Sequence, residues 1–224
     1  MKKMKKLLSI VAALTVFCST VLSNSTEVLA NTITNSKIEK EYDINDVIEN
    51  PEQYPNIEIG GPYSLEEMVQ IMVDDEDINV EEAIDTLTGG NSNKYSIQTS
   101  SEGYLTFREA VKVTSTYSVQ VRFYSRMEFG GGPEPTAFLE IRKVTLDREY
   151  IGGPKQFDGT VYYNLESSTR LYYEIEGDFW DYGQTTITGG GSIGVKGFGE
   201  LKGSVTYASN HYSYLSPKQG YFRI

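Results

Sequence analysis

The sequence predicts a mainly β protein: an antiparallel β-sandwich or closed barrel of about ten strands, preceded by an acidic arm with two short helices. Three observations carry this expectation. Residues 111–129 alternate between apolar and polar side chains with a period of two. Further strand-like segments follow at 95–99, 103–107, 136–146, 159–165, 170–177, 184–188, 192–207, 211–215 and 219–223. Turn signals separate them, among them Gly130-Gly131-Gly132-Pro133, Gly152-Gly153-Pro154, Asp158-Gly159 and Gly189-Gly190-Gly191. The third observation is charge, which sets residues 31–93 apart from 94–224.

In the organising stretch the odd positions include Val111, Val113, Tyr117, Val119, Val121 and Phe123, while the even ones include Lys112, Gln120, Arg122, Tyr124 and Arg126. Helical geometry would scatter either set around a cylinder, whereas a strand sends them to opposite faces. The expectation is one long strand within 110–129, bent where Ser115 interrupts the apolar row, with odd positions buried and even ones wet. A buried large side chain contributes ~1.5–3 kcal/mol, so such a face demands a covering layer.

The chain opens with a basic run, Lys2, Lys3, Lys5 and Lys6, continues apolar from Leu7 to Leu22, and reaches Val28-Leu29-Ala30. This pattern describes a secretory signal peptide over 1–30, removed to leave a released protein beginning at Asn31. The apolar run is shorter than the ~18 residues a stable membrane anchor needs. Cleavage would remove Cys18, the one cysteine, and with it any disulfide, metal thiolate or cysteine nucleophile. Intact mass of the secreted species checks this: a form retaining Cys18 would overturn both the start at Asn31 and the release.

Residues 31–93 hold two Lys against sixteen Asp and Glu, and residues 94–224 hold fourteen Lys and Arg against fourteen Asp and Glu. Beyond the leader the net charge is therefore −14, which disfavours nucleic acid and anionic lipid as partners. Residues 31–63, with Pro51, Pro55 and Pro62, read as extended chain. Ser64 and Glu67 have capping-box spacing ahead of a helix over about 65–73. Asn79 caps a second helix that ends at Gly89-Gly90. The acidic arm, 31–93, is expected to be separable from the β domain, 94–224.

Register is readable in one hairpin. A three-residue turn at 167–169 sets Tyr163 opposite Tyr173 and Val161 opposite Ile175, keeping both apolar rows on one side. A two-residue turn would pair buried positions with exposed ones.

Several motifs are weighed against their sequence context. Gly190-Gly191-Ser192-Ile193-Gly194 matches the nucleophile-elbow pattern but lacks a following helix and the acid and histidine in order. The same glycines match a dinucleotide fingerprint, again without the helix that would hold a pyrophosphate. Asp75, Asp77 and Asn79 fall at calcium-loop positions, yet Val80 and Thr86 stand where glycine and glutamate are required, so this reads as a solvated acidic loop. No metal site, catalytic set or cofactor is assigned. His211, the sole histidine, reads as decoration of a surface strand.

Tyrosine is the over-used residue: seventeen in the chain, fourteen after Lys94. Alternation puts Tyr124, Tyr162 and Tyr172 on polar faces, and Arg122 and Arg126 flank the first. These five form the candidate binding set, since tyrosine and arginine are enriched where proteins bind. The expected function is a secreted, non-enzymatic protein binding an extracellular or envelope carbohydrate or protein. One alternative is a small glycoside hydrolase using two of the strand glutamates Glu128, Glu140, Glu174 and Glu176. Another is a pore-forming or toxin-like protein with residues 185–206 as its hairpin.

Overall fold

The computed structural model describes residues 40–90 and 101–224. Residues 1–39, with the expected signal peptide, and the expected strand 95–99 lie outside them. The elements are β1 (Lys40–Asp43), α1 (Ile44–Glu49), a 3-10 turn (Pro51–Gln53), β2 (Ile57–Tyr63), α2 (Leu65–Glu76) and α3 (Val80–Thr88). They continue with β3 (Glu102–Lys112), β4 (Ser118–Phe129), β5 (Pro135–Ile151), β6 (Gln156–Ser167), β7 (Arg170–Gly189), β8 (Ile193–Gly194) and β9 (Phe198–Arg223).

The protein is mainly β, with two sheets rather than one closed barrel. The five-stranded sheet runs β2-β3-β4-β5-β8, and β1, β9, β6 and β7 make a four-stranded sheet. All pairings are antiparallel except β1 on β9. The apolar faces meet in one core. Phe107 and Phe123 of the first sheet lie 5.2 and 5.9 Å, ring centre to ring centre, from Phe222 of the second. Tyr173 stands 5.5 Å from Phe123.

The organising stretch is not one strand. It breaks into a hairpin at Val113–Tyr117, where the amides of Val113 and Thr114 both donate to the Tyr117 carbonyl, and Val111 pairs with Val119. Ser115 marks a reversal of the chain rather than a bend in it. Downstream the opposite error occurs: the separate strands expected at 170–177 and 184–188 are one, β7, and the three expected across 192–223 become chiefly β9. The first residues of β9, 198–203, pair with β6, and from Leu201 onward it runs beside β7.

The β6–β7 register is as expected, with Tyr163 opposite Tyr173 and Val161 opposite Ile175. It is reached by a two-residue turn, Ser168-Thr169, because a bulge between Leu165 and Ser167 absorbs the extra residue.

Both expected helices form. Ser64 accepts from the Glu67 amide and the Glu67 carboxylate accepts from the Ser64 amide, closing the capping box of α2. Asn79 accepts from the Glu82 amide at the start of α3, which ends on Gly89 at φ 67°, a conformation that favours glycine. Residues 40–88 are not a detached arm. β1 and β2 are strands of the two sheets, and α2 and α3 press Met68, Val69, Met72, Ala83 and Leu87 onto Tyr104 and Tyr124. This second, smaller core covers the outer face of the five-stranded sheet. That sheet is consequently buried on both sides.

Candidate functional site

The five residues nominated from sequence do not share a face. Arg122, Tyr124 and Arg126 sit on β4, under and beside the helices. Tyr162 and Tyr172 sit on the outer face of the four-stranded sheet.

The expectation that Tyr124 is solvent-exposed is corrected: it is 0% exposed. Its hydroxyl lies 2.8 Å from Glu76 Oε1 and 3.1 Å from Asp75 Oδ2. Burial first, then those two carboxylates, push its ionisation well above the ordinary tyrosine range. Around it Arg108 pairs with Asp75 at 2.6 Å, Arg122 donates to the Asp75 carbonyl at 3.1 Å and to the Asp147 carboxylate, and Thr145 donates to Glu76 at 2.7 Å. The last turn of α2 carries no basic residue and ends in carboxylates, the wrong sign for the negative end of a helix dipole. Arginines on the sheet supply the missing positive charge. Asp75 is therefore an anchor for the helix, not part of a solvated loop. Arg126 is engaged by Glu102 at 3.3 Å and Glu140 at 3.7 Å. The β4 trio glues one layer to another.

Tyr162 and Tyr172 belong to something different. Strand geometry sends consecutive residues to opposite faces, so each of the doublets Tyr162-Tyr163, Tyr172-Tyr173 and Tyr221-Phe222 gives one ring to the core and one to the outer face. Tyr163 and Tyr173 point inward, under Gly199 and Gly220. A Cβ at either glycine would fall 2.4–2.5 Å from the tyrosine ring or hydroxyl beneath it. Those glycines let the strands close over the inner rings. The outer rings then form a row across the sheet: Phe198 to Tyr162 at 6.4 Å, Tyr162 to Tyr172 at 6.0 Å, Tyr172 to Tyr221 at 5.0 Å. Arg170 lays its guanidinium 3.8 Å over the Tyr221 ring and continues the row.

Hydrogen-bonding groups line both sides of the row. Glu174 accepts from the Tyr172 hydroxyl at 3.0 Å and from the Gln219 amide. Glu200, beside Tyr162, is approached by the Thr160 hydroxyl at 3.4 Å. At the far end Arg170 meets Glu166 at 3.3 Å, and Arg223 meets Glu41 and Asp43 at 3.6 and 3.4 Å. Phe198 is 72% exposed, and Tyr162 and Tyr172 are half-buried. Sequence reasoning missed Phe198 and Tyr221. The Tyr221-Phe222 doublet, matching Tyr162-Tyr163 and Tyr172-Tyr173, was the signal for Tyr221; Phe198, followed by Gly199, carried none.

Other sequence motifs are placed as follows. Ser192 precedes the two-residue β8, no helix follows it, and its hydroxyl donates to Glu140. His211 lies on β9, 2.6 Å from Asp178 and against the Trp180 ring at 4.8 Å. Glu140 is on one sheet and Glu174 on the other, so these two do not face one cleft.

One titratable group sits where none was expected. Glu109 lies on the core-facing side of β3, opposite Val121 and Ile57, and is 3% exposed. Tyr42 of β1 donates to it at 3.1 Å, and Lys40 stands 4.0 Å away. Burial, partly offset by Lys40, Tyr42 and Asn56, pushes its carboxyl up to about 7.

Comparison of the chain with protein-family models, with curated proteins and with solved structures found no match among them.

Proposed function

We propose that this protein is a secreted, non-enzymatic β-sandwich that binds an extracellular or envelope carbohydrate on the outer face of its four-stranded sheet. The observation that carries the reading is the row Phe198, Tyr162, Tyr172, Tyr221, one ring after another at 5.0–6.4 Å across adjacent strands. An aromatic ring offers an apolar face and, in tyrosine, a polar edge. A pyranose offers the complement: axial C–H bonds on its faces and hydroxyls around its rim. Glu174 with Gln219 beside Tyr172, and Glu200 with Thr160 beside Tyr162, offer hydrogen-bonding groups for that rim. Stacking rows also suit single-stranded nucleic acid, but its affinity rests on cationic contacts to phosphate. Here Glu174, Glu176 and Glu200 line the row. Secretion rests on the leader pattern of residues 1–30.

The test is retention and reducing-end release on a panel of polysaccharides. Retention without release supports binding, and release would favour a hydrolase instead. Tyr172→Ala should weaken retention at least tenfold, the equivalent of about 1.4 kcal/mol. Its melting temperature should fall by a few degrees only, because the half-buried ring gives up contacts to Tyr162 and Tyr221 but no core volume. Unchanged retention would remove the row from the site.

A further inference from the structure

The row also constrains what kind of glycan fits. The rings are not coplanar: Phe198 and Tyr162 are inclined at 25°, Tyr162 and Tyr172 at 59°, Tyr172 and Tyr221 at 49°. Their relief is stepped as well. Phe198 stands 72% exposed at one end, Tyr162 and Tyr172 are half-buried, and Tyr221 is 8% exposed beneath the Arg170 guanidinium. Part of the turning follows from the sheet, whose neighbouring strands rotate by ~20–25° relative to each other. A rigid flat surface laid on this row would rest on Phe198 and clear the rings beyond Tyr162. Only a ligand that can bend beyond Phe198 follows the row onto Tyr162 and Tyr172, with Tyr221 under Arg170 supporting Tyr172 from beneath.

We infer that the row takes a single soluble glycan chain, neutral or cationic, running across the strands, and not the flat face of a crystalline polysaccharide. This rests on the carbohydrate reading above and deepens it. The direction follows from the rungs: they come from β9, β6, β7 and again β9, so the ligand axis crosses the strands, and successive rungs are spaced on the order of the ~4.8 Å strand separation. The charge preference follows from the flank. Glu174, Glu176 and Glu200 outnumber Lys202, which lies opposite Thr160 on the same face, while Arg170 and Arg223 are paired with Glu166, Glu41 and Asp43. A polyuronate or sulfated chain would bring its charges against those central carboxylates. Because Glu174 already receives the Tyr172 hydroxyl and the Gln219 amide, its position is set before a sugar arrives.

The experiment uses the secreted chain and four single variants, Phe198→Ala, Tyr162→Ala, Tyr172→Ala and Glu200→Gln. Native affinity electrophoresis is run in hydroxyethylcellulose, mixed-linkage β-glucan, galactomannan, glycol chitosan and polygalacturonate. Sedimentation is run with microcrystalline cellulose and crystalline chitin. The expected result is retardation by at least one neutral or cationic soluble chain and none by polygalacturonate. The three aromatic variants should each weaken retardation tenfold or more while remaining folded at the assay temperature, and neither crystalline solid should retain the protein. Glu200→Gln should narrow the preference for glycol chitosan over its neutral counterparts. Retention on a crystalline solid as strong as on soluble chains, still dependent on Tyr172, would overturn this inference and keep the carbohydrate reading. Retardation by polygalacturonate would overturn the charge preference. Absence of retention on every polysaccharide, or retention indifferent to all three aromatic variants, would overturn the carbohydrate site itself.

Discussion

Tyr124→Ala is expected to destabilise the protein by ~3–5 kcal/mol, as truncating a fully buried aromatic does. The ring is 0% exposed and lies beneath α2, packed with Met68, Met72 and Leu87 in the second core. Its removal leaves a cavity between helix and sheet. It also takes one hydroxyl from the acidic end of α2, where Asp75 and Glu76 depend on donors from the sheet. For a chain of this size the change lowers the melting temperature by roughly 6–20 °C. Tyr124→Phe keeps the ring and loses only the hydroxyl, so it should cost ~0.5–1.5 kcal/mol, since Arg108 and Thr145 still serve the two carboxylates. Urea unfolding of the two variants measures both. A loss under ~1 kcal/mol for alanine would mean that α2 does not seal this face.

The second large effect is on pH dependence and concerns Glu109. The folded state holds its proton up to about 7, whereas the unfolded chain releases it near the ordinary value of 4.5. Between those two values the folded state binds a proton that the unfolded state has lost, so raising the pH removes stability. The contribution is fully present below pH 4.5 and is lost by about pH 7 to 8. Its size is about 3 kcal/mol. Glu109→Gln imitates the protonated carboxyl throughout. The difference between variant and parent should be small at pH 4.5 and reach about 2–3 kcal/mol in the variant's favour by pH 8. Comparing the two proteins cancels the contributions of the other carboxylates. Parallel unfolding curves from pH 4.5 to 8 would show that the folded protein ionises Glu109 without penalty.

The local signals that were readable in the sequence rest on few residues each. Ser64 with Glu67 and Asn79 with Gly89 declare helix ends by backbone hydrogen bonding alone, and both helices are where those residues put them. The Tyr163–Tyr173 register follows from keeping apolar rows together, a choice between two faces that local chemistry decides. What could not be read was which sheet faces are covered. Alternation distinguishes the two sides of β4 but does not say that the polar side is dry. Arg122, Tyr124 and Arg126 look like a solvent-exposed binding set until the acids of α2, Asp75 and Glu76, arrive from far away in the chain. The cue was the excess acid of residues 31–93 matched to arginines on a single strand. The same limitation hid Glu109, because only the position of β1 against β9 explains a carboxylate facing the core. The aromatic row was half legible: Tyr162 and Tyr172 follow from alternation, whereas Phe198 and Tyr221 join them only once β9 is seen to border both β6 and β7.

The placement of β9 bears on the order in which contacts form when this protein folds. Phe198 and Tyr221 stand near the two ends of one strand, β9. The parallel partner of its final residues is β1, the first strand described, with Lys40 opposite Gly220 and Asp43 opposite Arg223. Contacts spanning such a sequence separation form slowly and late. A chain truncated before Gln219 has no Tyr221 for the row and no seat for β1, so Tyr42 is not held over Glu109. The β1–β9 pairing is thus among the last contacts to form on refolding, and the cover over Glu109 arrives together with the seat of Tyr221.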